Sequence, residues 1–193
     1  MYQKGGILTQ IEYDVVILGG GTAGIAAAIQ AGRAGAATLL VEKNGMLGGT
    51  MTVGGVSYPA HFFAGGRQVV RGIAWELVHK TLTETHRPIP RPEDGSKHVL
   101  VNFPIFAALA DEAALAAGVE ILFHAMPAEV SFSDDRWDLR ICTKSGLQSV
   151  RTRVLIDATG DANAVALAGF ELERPEHVQP GTLTFSCSGY DAE

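Results

Sequence analysis

Residues 13–24 constrain this chain more than any other stretch: Tyr13-Asp-Val-Val-Ile-Leu-Gly-Gly-Gly-Thr-Ala-Gly24. Residues 15–18 are a short apolar run rich in β-branched side chains, the pattern of a strand buried on both faces. Gly19, Gly21 and Gly24 then fit G-x-G-x-x-G. Residues 22–34 follow as a helix full of alanine. A second apolar strand over 38–41 runs into Glu42. Strand, glycines, helix, strand and an acid about 20 residues past the glycines form a βαβ unit built around a dinucleotide.

Each position has a physical task in that unit. Gly19 turns the chain sharply out of the strand. Gly21 has no Cβ, so a pyrophosphate can approach the backbone there. Gly24 lets the helix pack closely on the sheet. The helix N-terminus, with Thr22 and Ala23, offers unpaired N–H groups and the positive end of its dipole to phosphates. Glu42 sits where a carboxylate accepts hydrogen bonds from both ribose hydroxyls. A carboxylate there repels a 2′-phosphate, which argues against NADP.

Composition removes several function classes. Hydrophobic residues make up 47% of the 193 and charged residues 19%, so the chain is globular rather than disordered. The net charge of −6 disfavours nucleic acid and anionic membrane as main partners. The only cysteines are Cys142 and Cys187, far apart and with no C-x-x-C. Neither a disulfide framework nor a cysteine zinc site is expected, and a reducing cytoplasm fits. No metal site is expected from the six histidines, which show no ligand spacing. Residues 15–32 are uncharged and long enough to mimic a membrane span, but the glycine triplet breaks any helix through them. Residues 1–10 read as a loose leader rather than a signal peptide.

Downstream, glycine recurs at 45, 48, 49, 54 and 55. Such a stretch is a flexible loop or a backbone lying against a ligand. Its position directly after Glu42 and Lys43 favours ligand contact. Residues 68–83 carry apolar side chains at helical spacing, residues 84–97 form a surface loop, and residues 103–117 form a second helix with Pro104 near its start and Gly118 past its end. Residues 119–123 are a further parallel strand. Three short strands at 128–132, 137–143 and 147–151 make an antiparallel meander. A parallel strand at 153–157 returns to the main sheet, followed by Ala158-Thr-Gly-Asp161 and a short helix at 162–169. The expected organisation is a leader over 1–10, a cofactor domain over 11–170 with its meander near 128–151, and a linker over 171–193. Residues 183–187 read as the first strand of a further substrate domain.

Taken together, the chain resembles the FAD-dependent oxidoreductases of the glutathione-reductase-type fold, and most closely the group around the fumarate reductase and succinate dehydrogenase flavoproteins. Three motifs in order carry the resemblance: 14–24 with Glu42, then Gly48-Gly-Thr50, then Asp157-Ala-Thr-Gly-Asp161 after the meander. The resemblance implies a Rossmann-like, doubly wound parallel sheet with an inserted β-meander. It implies that residues 19–24 hold the FAD pyrophosphate and Glu42 the adenosine ribose. It places Gly48, Gly49 and Thr50 near the pyrophosphate and flavin. Val130 then meets the adenine through its backbone, and Ala158, Thr159, Gly160 and Asp161 close over the diphosphate. Some fumarate reductase-like relatives attach FAD through a histidine near residues 48–50. None stands between Gly45 and Ala60 here, so the expected FAD is noncovalent.

The function expected is hydride or electron transfer through FAD on a small-molecule substrate. An NAD-dependent dehydrogenase is one alternative, but it leaves residues 48–50 and 157–161 without a role. A noncatalytic FAD module needing a partner chain is another, and a flavoprotein of thiazole synthesis or RNA modification a third. Relatives by resemblance are about twice as long. The chain is therefore expected not to turn over substrate alone, and either to self-associate or to belong with a missing C-terminal domain. No catalytic residue is assigned. His61 in the irregular stretch after residue 55 is read as a loop histidine, with acid–base work as the alternative. Arg67 and Arg71 are read as solvated charges, with substrate carboxylate binding as the alternative.

Overall fold

The computed structural model describes residues 11–94, 99–173, 176–178 and 180–185. The expected leader over 1–10 lies outside them. The first strand, β1 (Glu12–Leu18), leads into α1 (Thr22–Arg33) and β2 (Thr38–Glu42). A two-residue pair, β3 (Phe63–Ala64) and β4 (Arg67–Gln68), precedes α2 (Ile73–Glu84). Then come α3 (Phe103–Ala116), β5 (Glu120–Phe123), β6 (Met126–Ser133), β7 (Arg136–Thr143), β8 (Gly146–Asp157) and α4 (Asn163–Leu167).

Six strands form one sheet in the order β5–β2–β1–β8–β7–β6. The four strands β5, β2, β1 and β8 run parallel. β7 and β6 continue the same sheet antiparallel. Alternation along β1 and β2 splits the core in two. Ile17 and Leu40 face a cluster shared with Ile25 and Ile29 of α1, Leu77 and Leu82 of α2 and Phe106 of α3. Val16, Leu18, Leu39 and Val41 face a second cluster with Val130, Leu139, Ile141 and Val150 of the antiparallel strands and Ala164 of α4. Those residues are all buried, as strands covered on both faces require.

Three elements differ from their sequence reading. Residues 147–151 and 153–157 are one strand, not two. β8 pairs antiparallel with β7 through its first half and parallel with β1 through its second, and Thr152 is paired with Trp137 on one side and Tyr13 on the other. Nothing between Val150 and Val154 is a turn former, and Thr152 is β-branched and buried, so the strand continues. The helix expected over 68–83 starts only at Ile73. Gly65 and Gly66 both have positive φ (56° and 69°) and turn β3 into β4 as a two-residue hairpin. Gly72, at φ 68°, then resets the chain before α2. α3 matches its reading: the Asn102 side chain caps it by accepting from the Ile105 N–H at 3.2 Å, and Gly118 ends it at φ 80°.

Residues 183–185 form no strand. Leu183 and Phe185 are exposed, and no strand pairs with them among the described residues. Residues 186 and 187 of that expected strand lie outside the described residues. Thr184 donates its hydroxyl to the Gly54 carbonyl at 2.8 Å.

α1 is held on β1 by a contact that only glycine permits. A Cβ on Gly24 would lie 1.8 Å from the Gly19 carbonyl oxygen. Alanine is favoured over glycine in a helix by about 1 kcal/mol, which is less than the strain of pushing α1 off the sheet. Gly24→Ala should therefore lower stability by about 1–3 kcal/mol in a denaturant titration.

Candidate functional site

The carboxyl ends of the parallel strands meet at one edge. Leu18 of β1 stands opposite Val41 of β2 and Asp157 of β8, and Glu42 stands opposite Phe123 of β5. A cavity of about 610 Å³ opens there. This is where ligands bind in open α/β sheets.

Five segments make its wall. Gly19, Gly21, Thr22 and Ala23 line it at the start of α1. Glu42, Lys43 and Asn44 line it after β2, and Gly49, Thr50 and Met51 in the next loop. Ala158, Thr159, Gly160 and Asp161 close it after β8. Three of the expected residues do not line it. Gly24 packs against Gly19, as above. Gly48 holds the loops together: its N–H donates to the Gly20 carbonyl at 2.8 Å, and it forms a parallel bridge with Gly21. Val130 is buried in the second core, and Ala125, Met126 and Pro127 at the entry to the antiparallel strands line the cavity in its place. The register explains this: β6 begins at Met126, beside the strand ends, and Val130 lies farther along it.

The fingerprint glycines divide by task. Gly19, at φ 100°, lies against the next strand's exit: a Cβ there would fall 2.4 Å from the Ala158 carbonyl oxygen. A Cβ on Gly21 would meet nothing within 4 Å, so that face of the loop is open.

Two carboxylates organise the loops. Glu42 is only 4% exposed. Its Oε2 accepts the Gly20 N–H at 2.6 Å, and its Oε1 accepts the Asn44 backbone N–H at 2.7 Å and the Asn44 Nδ2 at 2.6 Å. Glu42 is thus a structural tie between two loops as well as part of the wall. Asp157 does the same on the other side. Its Oδ1 accepts from the Thr159 N–H at 2.9 Å and hydroxyl at 2.7 Å, and its Oδ2 from the Ala164 and Val165 N–H groups at 2.8 and 3.1 Å. Burial raises the Asp157 carboxyl, but these four donors outweigh it and hold it below the ordinary carboxylate value.

The titratable side chains on the wall are Glu42, Lys43 and Asp161. His61, Arg67 and Arg71 are exposed and do not line the cavity. His61 has a left-handed backbone at φ 61°. No three His, Cys, Asp or Glu residues are grouped to hold a metal ion among the described residues. No helix among them is long and apolar enough to cross a membrane.

A model of the family described as FAD dependent oxidoreductase matches residues 14–193. The chain belongs to that family. FAD is accordingly its cofactor. A stretch of 45 residues is 51% identical to dihydrolipoamide dehydrogenase of Chaetomium thermophilum, covering 23% of this chain and 9% of that protein. Among solved structures, a geranylgeranyl bacteriochlorophyll reductase-like protein from Thermoplasma acidophilum matches with a TM-score of 0.58 at 19% identity, over 83% of this chain and 42% of that one. OxyS anhydrotetracycline hydroxylase from Streptomyces rimosus matches with a TM-score of 0.57 at 17% identity, over 80% of this chain and 33% of that one. These two likenesses show the fold. The chain spans less than half the length of each of the three proteins.

Sequence reasoning passed over Gly20, Asn44 and Asp157 as site residues. Their signals are local but weak: an Asn two residues after the strand-ending acid, and a Thr two residues after a strand-ending Asp, are both spacings at which side chains meet neighbouring backbone. To the ribose role read from sequence, the structure adds three donors of the protein itself on Glu42. Glu42→Ala should cost about 2–3 kcal/mol of stability without any ligand, since buried N–H groups lose their acceptor. Denaturant unfolding of the apoprotein measures it. For Asp157, a lowered folded value means its stabilisation is present above the unfolded value of about 3.9 and is lost as pH falls through the folded value. Asp157→Asn should be about 1–2 kcal/mol less stable near pH 7, and the gap to wild type should shrink in unfolding experiments at pH 3.

Proposed function

We propose that this chain is the FAD-binding part of an oxidoreductase acting on a small-molecule substrate, from the group related to the fumarate reductase and succinate dehydrogenase flavoproteins. The observation that carries the reading is the open face of Gly21 over the cavity, at the N-terminus of a helix whose first turn has no acidic residue. A pyrophosphate needs close backbone approach, free N–H donors and a positive dipole end, and this wall supplies all three. The residues present therefore fit FAD. Gly19, Gly21, Thr22 and Ala23 would take the pyrophosphate, with Gly49 and Thr50 on one side and Ala158, Thr159, Gly160 and Asp161 on the other. Glu42, Lys43 and Asn44 would take the adenosine ribose, and Ala125, Met126 and Pro127 the adenine.

FAD supplies hydride or single-electron transfer at its isoalloxazine ring. The chain's own residues bind and orient the nucleotide end. The order of the three motifs supports the fumarate reductase-like grouping, and the absence of histidine from residues 46–59 supports noncovalent attachment. Two distant cysteines support a cytoplasmic setting, and the net charge of −6 argues against nucleic acid as a partner. An NAD-dependent dehydrogenase and a noncatalytic module are no better supported.

The test is a binding titration of purified protein with FAD and with NAD, followed by acid precipitation of the loaded protein. FAD should bind at one site per chain, NAD far more weakly, and the yellow colour should leave with the supernatant. NAD binding without affinity for FAD would overturn the cofactor reading. Colour retained in the pellet would overturn the noncovalent one.

A further inference from the structure

We infer that the ribose is read by a pair of residues, with Asn44 Oδ1 accepting one hydroxyl and Glu42 Oε2 the other, and not by the two oxygens of Glu42 alone. The inference rests on the proposed placement of the adenosine ribose at the end of β2.

The count of acceptor sites carries it. A carboxylate offers about four lone-pair sites, two on each oxygen. Glu42 Oε1 already accepts two hydrogen bonds, from the Asn44 backbone N–H at 2.7 Å and from Asn44 Nδ2 at 2.6 Å. Both are short and charge-assisted, and Oε1 has no room for a third donor. Oε2 accepts one, from the Gly20 N–H at 2.6 Å, and keeps one site open. Glu42 is 4% exposed and its carboxylate is held from both sides, so it does not swing to present Oε1 elsewhere. As built, Glu42 takes one hydroxyl.

A ribose brings two adjacent hydroxyls, and each is a donor. The second needs an acceptor beside the first. Asn44 lines the same cavity and is half-buried. Its amide is turned with Nδ2 on Glu42, which leaves Oδ1 as an acceptor with no hydrogen-bond partner among the described residues. Lys43, the neighbouring wall residue, only donates. The donor Asn44 spends on Glu42 therefore does two jobs: it holds the carboxylate and it leaves the amide's own oxygen free for a hydroxyl.

A residue that merely held Glu42 in place would affect every nucleotide alike, so the experiment varies the hydroxyls. Adenosine 5′-diphosphate, its 2′-deoxy form and its 3′-deoxy form are titrated against wild-type protein, Asn44→Ala and Asn44→Ser. Melting of each unliganded variant establishes that it is folded. Wild type should bind both deoxy nucleotides about three- to tenfold more weakly than the parent, the worth of one hydrogen bond. Asn44→Ala should weaken the parent by a similar factor. It should bind one deoxy nucleotide as wild type does, since that ligand lacks the hydroxyl Asn44 reads. Asn44→Ser, which keeps a side-chain oxygen, should recover part of the loss. Equal weakening of all three nucleotides by Asn44→Ala would overturn the inference and leave Asn44 a support for Glu42. Unchanged binding of the parent by that variant would overturn it too. Failure of wild type to bind both adenosine diphosphate and FAD would instead count against the proposed function.

Discussion

The cavity depends on three loops lying against one another backbone to backbone. Gly19 lies against Ala158, Gly24 against Gly19, and Gly48 donates to Gly20. At the first two contacts a Cβ would fall on a carbonyl oxygen, 2.4 Å from Ala158 and 1.8 Å from Gly19. The result is a stretch of wall around the start of α1 that is built from backbone. It also sets apart the roles of the fingerprint glycines. Gly19 and Gly24 are required by packing within the chain. Gly21 alone of the three has open space where its side chain would be, so no packing within the chain requires a glycine there.

Most of the frame was legible because its signals are local. The run 15–18, the helix from Thr22, the strand ending at Glu42 and the Asn102-capped α3 each carry their own pattern, and each stands within a residue or a few of where it was read. What was not legible depends on partners distant in sequence. β8 changes partners at Thr152, and a change of partner leaves no turn residue behind. The Glu42 carboxylate meets Gly20, across the whole of α1. Residues 183–185 have a strand's composition and pair with no strand among the described residues. At α2 the signal was present but outweighed: Gly65, Gly66 and Gly72 mark a hairpin and a break, while Val70 mimics helical spacing with Ile73. Val130 came from resemblance rather than from residues, and it is buried in the second core instead of lining the cavity.

Glu42 and Asp157 solve one problem twice. Each ends a parallel strand, and each gathers the N–H groups of the loop that follows. Each also reaches a second segment: Glu42 to Gly20, Asp157 to the first turn of α4. A side chain with two oxygens and no hydrogen can anchor three or four donors at once, which no neutral residue does as well. The cost is a negative charge beside the place proposed for a diphosphate.

That cost is limited by where the donors lie. The Glu42 carboxylate is surrounded by three N–H groups and Asp157 by four donors, so much of each charge is spent inside the protein. Asp161 adds a further negative charge to the wall, and Lys43 is its one cation. Side-chain charge on this wall is therefore not what would draw in a diphosphate. The attraction has to come from the N–H groups and dipole at the start of α1, which act at short range and in fixed orientation. Such a wall selects for geometry over charge: an anion gains there only if it comes close enough for the backbone to donate, and Gly21 is what makes that approach possible.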